Sequence, residues 1–339
     1  MASFRKTFVP VVLGAACVFG LAVAARAPKL DPPGYAFIAN QYEHTAVLVD
    51  LSSKQPVARI EVGVNGHEVV VDPKHHFGYV PIYGNSGVGK PGTDGDRIDI
   101  IDLKERKLTG SIPLGKPVRP HCARFGPDGL LYVSAELAQA IYVIDVNAKK
   151  IVGEVPTGAI ESHMFVLSPD GKRAYTSNVH AGSVSVLDLE KRALVAVIPV
   201  AKIVQRISIS ADGKHVFTHD QDEPRIAVID TATNKISGWI AIPATAYSSA
   251  PLPDGHGMVA YSPSGKLFSI DLDHLKQTGE SDSCKALGEL ALSSDGDRAF
   301  LTCPATGQLL TYNAHNGKPD AEITLTKGVD GIQWFPAVK

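Results

Sequence analysis

Short stretches of alternating apolar and polar residues, separated by tight-turn signals, follow one another along most of the chain. The clearest example spans residues 163–178, where one such run leads into Asp170-Gly171 and a second run follows; residues 182–188 then form a third. Alternation with a period of two is typical of half-buried β-strands, and an Asp-Gly pair between two runs is typical of a tight turn. We therefore predict strand, turn, strand, loop and strand in this stretch.

The same pattern returns at a nearly constant interval. A fixed period of about 42 residues indicates a repeat protein, and four short strands per repeat indicate the blades of a β-propeller. The turn aspartate recurs every 41 or 42 residues, at Asp128, Asp170, Asp212, Asp254 and Asp295.

The two ends of the repeat region predict how the ring closes. Residues 35–62 supply three strands with no inner strand before them, whereas residues 331–336 have the pattern of an inner strand with nothing after it. The last strand would complete the first blade, and such closure removes exposed sheet edges. The predicted fold is all-β: a seven-bladed β-propeller of four-stranded antiparallel blades, with the first blade closed by the C-terminal strand.

Two motifs carry a family resemblance. Residues 168–178 followed by residues 183–189, together with the Leu-Tyr-Val-Ser of residues 131–134, resemble the YVTN-type β-propeller repeat. The similarity covers residues 35–336 and implies the propeller fold. Relatives of this kind include periplasmic proteins of the YncE type, surface-layer proteins and propeller subunits of exported dehydrogenases, so the resemblance does not select one function.

The first residues differ in kind from the repeats. Arg5 and Lys6 precede an uncharged apolar run over residues 8–25 that ends in small side chains. This order is typical of a secretory signal peptide, which we predict over residues 1–27, with the propeller over residues 28–339. A retained anchor is the alternative, since the run approaches the roughly 20 residues of a spanning helix. With cleavage, we expect a periplasmic or secreted protein without a further membrane span.

The cysteines and the net charge bear on disulfide formation and on the class of partner. Cys122, Cys284 and Cys303 follow the signal; Cys284 and Cys303 would lie at neighbouring strand ends of one blade, as a disulfide or as two buried thiols. The formal net charge is −2, and no basic run occurs beyond the first few residues. This balance argues against a general surface for nucleic acid or anionic membranes.

The first strand of each blade lines the central channel, so residues at its start meet at one mouth. Three consecutive repeats place a histidine there, His67, His121 and His163, and Asp330 flanks them from the closing strand. Imidazole nitrogens are good ligands for zinc, copper and iron, and three of them with a carboxylate or an open position suit a catalytic metal. We predict these four residues as ligands of a divalent transition metal. Alternatively, the histidines plug the mouth, hydrogen-bonded to each other and to water.

Further polar residues are predicted around this mouth. Glu68, Glu161 and Arg206 are predicted as catalytic acid, base or anion clamp, with ordinary loop solvation as the alternative. Ligand contacts are predicted for the rest of the ring and for one loop residue: Gln205, Tyr247, Glu289 and His180. The loops between second and third strands also bring other residues to this side: His44, Glu136, His219 and Asp220.

A Gly-rich insertion over residues 83–96 interrupts the second repeat. Residues 84–90 have the spacing of a phosphate-binding P-loop, but Pro91 replaces the Ser or Thr that would hold Mg²⁺. A strand pattern rather than a helix follows, so no helix N-terminus is available for phosphates. We predict that the insertion is a lid or wall of the mouth.

These features leave three functions open. The first is an exported, monomeric binding protein or scaffold, with a small molecule or protein at the channel mouth and no nucleic-acid partner. The second is a metal-dependent lyase, lactonase or oxidoreductase that uses the three histidines. The third is an accessory subunit of a periplasmic dehydrogenase system; the chain has no Cys-x-x-Cys-His for covalent haem.

Overall fold

The structure is a computed structural model that describes residues 34–337, and these residues form seven four-stranded antiparallel sheets. Each sheet is one blade of a β-propeller, which confirms the predicted fold. The signal peptide predicted over residues 1–27 lies outside the described residues. No helix within the described part of the chain is long and apolar enough to cross a membrane.

The strands follow one another in chain order, with one 3₁₀ helix at Glu136–Ala138. They are β1 (Gly34–Asn40), β2 (Thr45–Asp50), β3 (Gln55–Glu61), β4 (Val70–Val71), β5 (Phe77–Gly84), β6 (Asp94–Asp102), β7 (Lys107–Pro113), β8 (Pro120–Phe125), β9 (Leu131–Ala135), β10 (Ala140–Asp145), β11 (Lys150–Pro156), β12 (Ser162–Leu167), β13 (Arg173–Asn178), β14 (Ser183–Asp188), β15 (Ala193–Pro199), β16 (Val204–Ile209), β17 (His215–Asp220), β18 (Arg225–Asp230), β19 (Lys235–Ala241), β20 (Ser248–Pro251), β21 (Gly257–Ser262), β22 (Lys266–Asp271), β23 (Lys276–Asp282), β24 (Leu290–Leu292), β25 (Arg298–Cys303), β26 (Gln308–Asn313), β27 (Pro319–Thr324) and β28 (Val329–Pro336).

Blade 1 contains β28, β1, β2 and β3 in that order, and blades 2 to 7 take the remaining strands in successive groups of four. The first strand of each blade contacts the first strands of both neighbouring blades, including β24 with β28 and β28 with β4. The first strands therefore form a closed ring around the channel, as the repeat phase predicts.

The closing strand fixes blade 1. β28 pairs antiparallel with β1, from Gly34 opposite Pro336 to Asn40 opposite Val329. The backbone N–H of Val71 donates to Gln333 Oε1 at 2.8 Å, which ties the closing strand to blade 2. Strands from opposite ends of the chain thus complete one four-stranded sheet.

The apolar core lies in layers between neighbouring blades. Fully buried aromatic side chains such as Phe165 and Tyr175 pack between blade 4 and its neighbours. The fourth strand of this blade, β15, is mostly exposed or half-buried. Cys122 is also buried in such a layer, with its Sγ 3.6 Å from the Phe165 carbonyl oxygen. Cys284 and Cys303 form a disulfide, so the paired alternative for these two cysteines holds.

Candidate functional site

The same local conformation positions the ring histidines in blades 2, 3 and 4. The residue two places before each histidine is left-handed: Asn65 (φ 56°), Arg119 (φ 54°) and Glu161 (φ 54°). A left-handed residue other than glycine costs roughly 1–2 kcal/mol, so strain is held at this mouth. Register shifts in β8 and β12 then fall at the histidine positions themselves, and such bulges re-aim a side chain.

The three histidines meet at one point of the mouth. His67 Nε2 lies 2.6 Å from His121 Nε2, and the ring centroids of His121 and His163 are 3.6 Å apart. The Tyr83 ring packs edge-on against His67 and His121, with centroids 4.9 and 5.2 Å away. We call these three histidines with Tyr83 and Glu136 the histidine cluster.

Two of the imidazoles are held through their Nδ1 atoms by oxygen acceptors. His67 Nδ1 lies 3.1 Å from the side-chain oxygen of Asn65 and 3.3 Å from its carbonyl oxygen. His163 Nδ1 bonds the Glu136 carboxylate, which also accepts the Tyr83 hydroxyl at 2.9 Å. With Nδ1–H donated, the lone pair of each of these two rings is on Nε2.

Burial keeps two of these rings uncharged. Burial, with a smaller contribution from the nearby His163, lowers the pKa of His67 to about 3. Burial, His163 and His67 hold the pKa of His121 well below its ordinary value. Burial and then Glu136 raise the pKa of Tyr83, so its hydroxyl stays protonated as a donor. His67 and His121 are therefore neutral at physiological pH, the form in which imidazole binds metals.

A second group of charged side chains lies close to the histidines, and we call it the arginine cluster. Arg206 pairs with Glu68 at 2.9 Å, with Glu289, and more distantly with Asp330 at 3.9 Å. All four residues are buried. Burial opposes the charge of Arg206, but Glu68 and its other partners raise its pKa above the ordinary value. One buried guanidinium thus faces three carboxyl groups.

Asp330 is the carboxyl group of this cluster whose negative charge is stabilised least. Burial raises its pKa to about 7, although Arg206 acts in the opposite direction. Its Oδ2 accepts a hydrogen bond from Gln41 Nε2 at 3.0 Å. The sequence predicts Asp330 beside the three histidines as a ligand, whereas its carboxyl partners in the structure are Arg206 and Gln41.

The other predicted residues lie either in the arginine cluster or at the solvent-exposed edge of the channel mouth, which we call the rim. Glu68 and Arg206 belong to the arginine cluster, and the Tyr247 ring lies 5.1 Å from the Arg206 Cζ. Gln205 Nε2 donates to the Tyr247 hydroxyl at 3.3 Å. On the rim, Glu161 Oε2 lies 2.5 Å from His180 Nδ1. No hydrogen bond joins these side chains to the histidine cluster within the described residues.

The predicted loop residues also lie in different surroundings. His44 Nδ1 accepts the Asn65 N–H at 3.1 Å and thus supports the segment that leads to His67. His219 is fully buried, and burial lowers its pKa to about 3. Asp220 pairs with Arg225 at 3.0 Å. Of the predicted loop residues, Glu136 is therefore the one that contacts the ring histidines.

The Gly-rich insertion forms a wall beside the histidine cluster. Arg119 donates to the carbonyl oxygens of Gly87 at 2.9 Å and Lys90 at 3.3 Å, and to Asp94 at 2.9 Å. These bonds fix the insertion of blade 2 on blade 3. A cavity of about 330 Å³ lies beneath it, and Glu136 reaches its lining.

Sequence reasoning missed two side chains of the site, Tyr83 and Arg119. Tyr83 lies near the end of β5 and is the first residue of the insertion, and Arg119 is two places before His121. Arg119 could have been predicted, because it stands two places before His121, just as the predicted site residue Glu161 stands two places before His163. Tyr83 has no counterpart of this kind in the neighbouring repeats.

The described residues define a seven-bladed β-propeller with a histidine cluster at one channel mouth, in which His67 is half-buried and the other members are buried. No family model matches the sequence, and no curated protein matches it either. The YVTN-type resemblance therefore stays a prediction.

Solved structures that are similar to this chain in fold include the following two. A chain of hydrazine synthase from Kuenenia stuttgartiensis aligns with a TM-score of 0.70 and 19% identity, over 87% of this chain and 99% of that one. The dihydro-heme d1 dehydrogenase NirN, in complex with DHE, aligns with a TM-score of 0.62 and 17% identity, over 92% of this chain and 78% of that one. At these identities the likeness concerns the fold.

Proposed function

We propose that this chain is an exported β-propeller that binds a small ligand at the channel mouth through a divalent transition metal on His67, His121 and His163. The observation that carries the proposal is the orientation of the imidazoles. His67 and His163 have oxygen acceptors on Nδ1, which places the lone pair of each ring on Nε2, and this is the usual support of metal-binding histidines.

The present contact between His67 and His121 is a hydrogen bond, with 2.6 Å between the two Nε2 atoms. Nitrogens around a tetrahedral zinc ion, each about 2.0–2.1 Å from it, lie about 3.3 Å apart. Binding would therefore need these rings to separate by a fraction of an ångström. Within residues 34–337, no group of three or more His, Cys, Asp or Glu side chains is already spaced around a metal-sized point.

The space for a ligand is the cavity of about 330 Å³ beside the insertion, and Glu136 is the member of the histidine cluster that lines it. Its size is that of a small-molecule pocket. NirN, which has a similar fold, was determined in complex with DHE, and this supports ligand binding by a propeller of this shape.

Zinc titration followed by elemental analysis tests this proposal. We expect about one zinc ion per chain in the mature protein, loss of that ion in His121→Ala, and retention in the matched control His180→Ala. Thermal melting of each variant checks that it folds. Absence of zinc from the folded wild-type protein, or equal zinc in all three proteins, would contradict the proposal.

A metal-dependent enzyme is the second candidate, because three protein ligands leave a fourth position open for water or substrate. A lyase, lactonase or oxidoreductase could use this position. The predicted acid and base residues weigh against it: Glu68 and Arg206 are paired with each other, and Glu161 binds His180. Turnover by the zinc-loaded protein that His121→Ala abolishes would favour the enzyme over the binding protein. The accessory-subunit hypothesis stays a prediction.

Export is part of the proposal. The pattern of residues 1–27 supports it, and so does the disulfide between Cys284 and Cys303, since disulfides persist in oxidising compartments. We expect the mature chain to be a monomer in the periplasm or outside the cell. Fractionation of expressing cells, with mass spectrometry of the mature N-terminus, tests this part separately.

A further inference from the structure

The turn between the first two strands differs in blade 2 from the other blades. This turn contains one left-handed residue, which is glycine in blades 3 to 7 and His75, with φ 58°, in blade 2. The glycines are Gly129, Gly171, Gly213, Gly255 and Gly296. A left-handed histidine is less favourable than glycine by roughly 1–2 kcal/mol, so the exception has a cost.

The residue that packs against this turn from the preceding blade also differs in blade 2. In three blade pairs the turn glycine lies against a proline of the preceding blade's turn: Gly171 on Pro127, Gly213 on Pro169 and Gly296 on Pro253. Blade 1 has no such turn, because β28 and β1 come from opposite ends of the chain. A cleft of about 670 Å³ remains between blades 1 and 2, and we call it the seam cleft.

Aromatic rings form the walls of the seam cleft. The His75 ring lies 5.9 Å from the Phe335 ring, and Phe335 stacks on Tyr35 with centroids 5.6 Å apart. Phe77 also lines the cleft, and Leu48 is part of its lining. These rings contact one another and together form an aromatic wall, against which a flat molecule can pack, and the volume of the cleft fits a small molecule.

The positive charges that line the seam cleft are not balanced by salt bridges within residues 34–337. Lys104 and Arg106 line it, and neither forms a salt bridge within residues 34–337. Arg106 donates one hydrogen bond, to the Val57 carbonyl oxygen at 3.1 Å, and its other donors remain available. Asp102 is the carboxylate of the lining, and its Oδ1 already accepts the Glu105 N–H at 2.7 Å. The cleft therefore favours negative charge.

We propose that the seam cleft is a second binding site, for a planar aromatic molecule with one carboxylate. The aromatic part lies among His75, Phe335 and Tyr35, and the carboxylate pairs with Lys104 and Arg106. The site is independent of the channel mouth, because none of its lining residues belongs to the histidine cluster.

Calorimetric titration with 1-naphthoate tests the proposal on the mature protein. We expect saturable binding that Lys104→Glu/Arg106→Glu weakens at least about tenfold, and 1-naphthylmethanol, which has no charge, should bind at least about tenfold more weakly. Arg192→Glu is the matched control, because Arg192 makes the same bond to the Val152 carbonyl oxygen, at 2.9 Å, in another blade.

The His121→Ala variant separates the two sites: its affinity for 1-naphthoate should be unchanged, whatever becomes of zinc binding. The proposal is overturned by no binding of 1-naphthoate up to millimolar concentration. It is also overturned by equal affinity in the charge-reversed variant, or by equal losses in Arg192→Glu or His121→Ala.

Discussion

Glu136 bonds His163 through one carboxylate oxygen and accepts the Tyr83 hydroxyl at the other, 2.9 Å away. Glu136 belongs to the short 3₁₀ helix of blade 3, whereas His163 lies in the first strand of blade 4 and Tyr83 lies near the end of β5 in blade 2. One buried carboxylate thus joins three blades at the channel mouth. The orientation of His163 depends on it.

Replacement of Glu136 by Gln should weaken zinc binding roughly 10- to 100-fold, which is the usual effect of losing an outer partner of a metal-binding histidine. The physical reason is that the amide lacks the negative charge that makes the imidazole a stronger donor. Zinc affinity by competition with a chelator measures the change. Glu161→Gln, on the rim, is the control, and an equal effect of both substitutions would show that the position of Glu136 has no special role.

Removal of Arg206 should destabilise the propeller strongly. Arg206→Met leaves the buried carboxyl groups of Glu68, Glu289 and Asp330 without a cation, and breaking a buried pair in this way costs about 3–5 kcal/mol. Urea unfolding measures the free energy. Lys266→Met, which breaks exposed pairs with Glu280 and Asp282, should cost far less, because solvent screens exposed ion pairs. Similar losses in both variants would contradict the role of the arginine cluster.

The pH dependence of stability should depend on Asp330. Its pKa is about 7 in the folded chain and 3.8 as the ordinary value, so the folded state holds this proton more tightly than the unfolded state. Its contribution is complete below about pH 4 and is lost as the pH rises through about 7. The wild-type free energy of unfolding, measured relative to Asp330→Asn, should fall by a few kcal/mol between about pH 5 and pH 8. A pH-independent difference would contradict this assignment.

Reduction of the disulfide should lower stability without opening the ring. Cys284 and Cys303 are 19 residues apart, and a cross-link over a loop of this length contributes about 3 kcal/mol in the chain-entropy model. Urea unfolding with and without reductant measures this change. Thiol titration of the denatured, unreduced mature protein should find one free thiol, Cys122; three free thiols would contradict the disulfide.

The fold followed from the sequence because repeat period and strand alternation are regular along the chain. The spacing of the turn aspartates determined the phase of the blades, and the strand predicted at residues 331–336 lacked partners in its own repeat and could pair with the first blade. The same phase brought His67, His121 and His163 to one mouth. These are properties of the backbone, and the pattern of the sequence determines them.

The partners of individual side chains could not be predicted in this way. Asp330 has the same position in the repeat as the histidines, yet its carboxyl group lies with Arg206 and Gln41. Buried charges pair with the nearest opposite charge, and Arg206 is supplied by a different blade, beyond the reach of a repeat alignment. Tyr83 escaped notice because the insertion that places it occurs in one repeat.

The proposed metal site on His67, His121 and His163 is tested most directly by crystals of the mature protein soaked in zinc. The position of zinc is located from anomalous scattering at the zinc edge. We expect a peak at the channel mouth, about 2.0–2.1 Å from the Nε2 atoms of His67, His121 and His163. A zinc-soaked crystal with no peak at this point, and with the His67–His121 hydrogen bond intact, would contradict it.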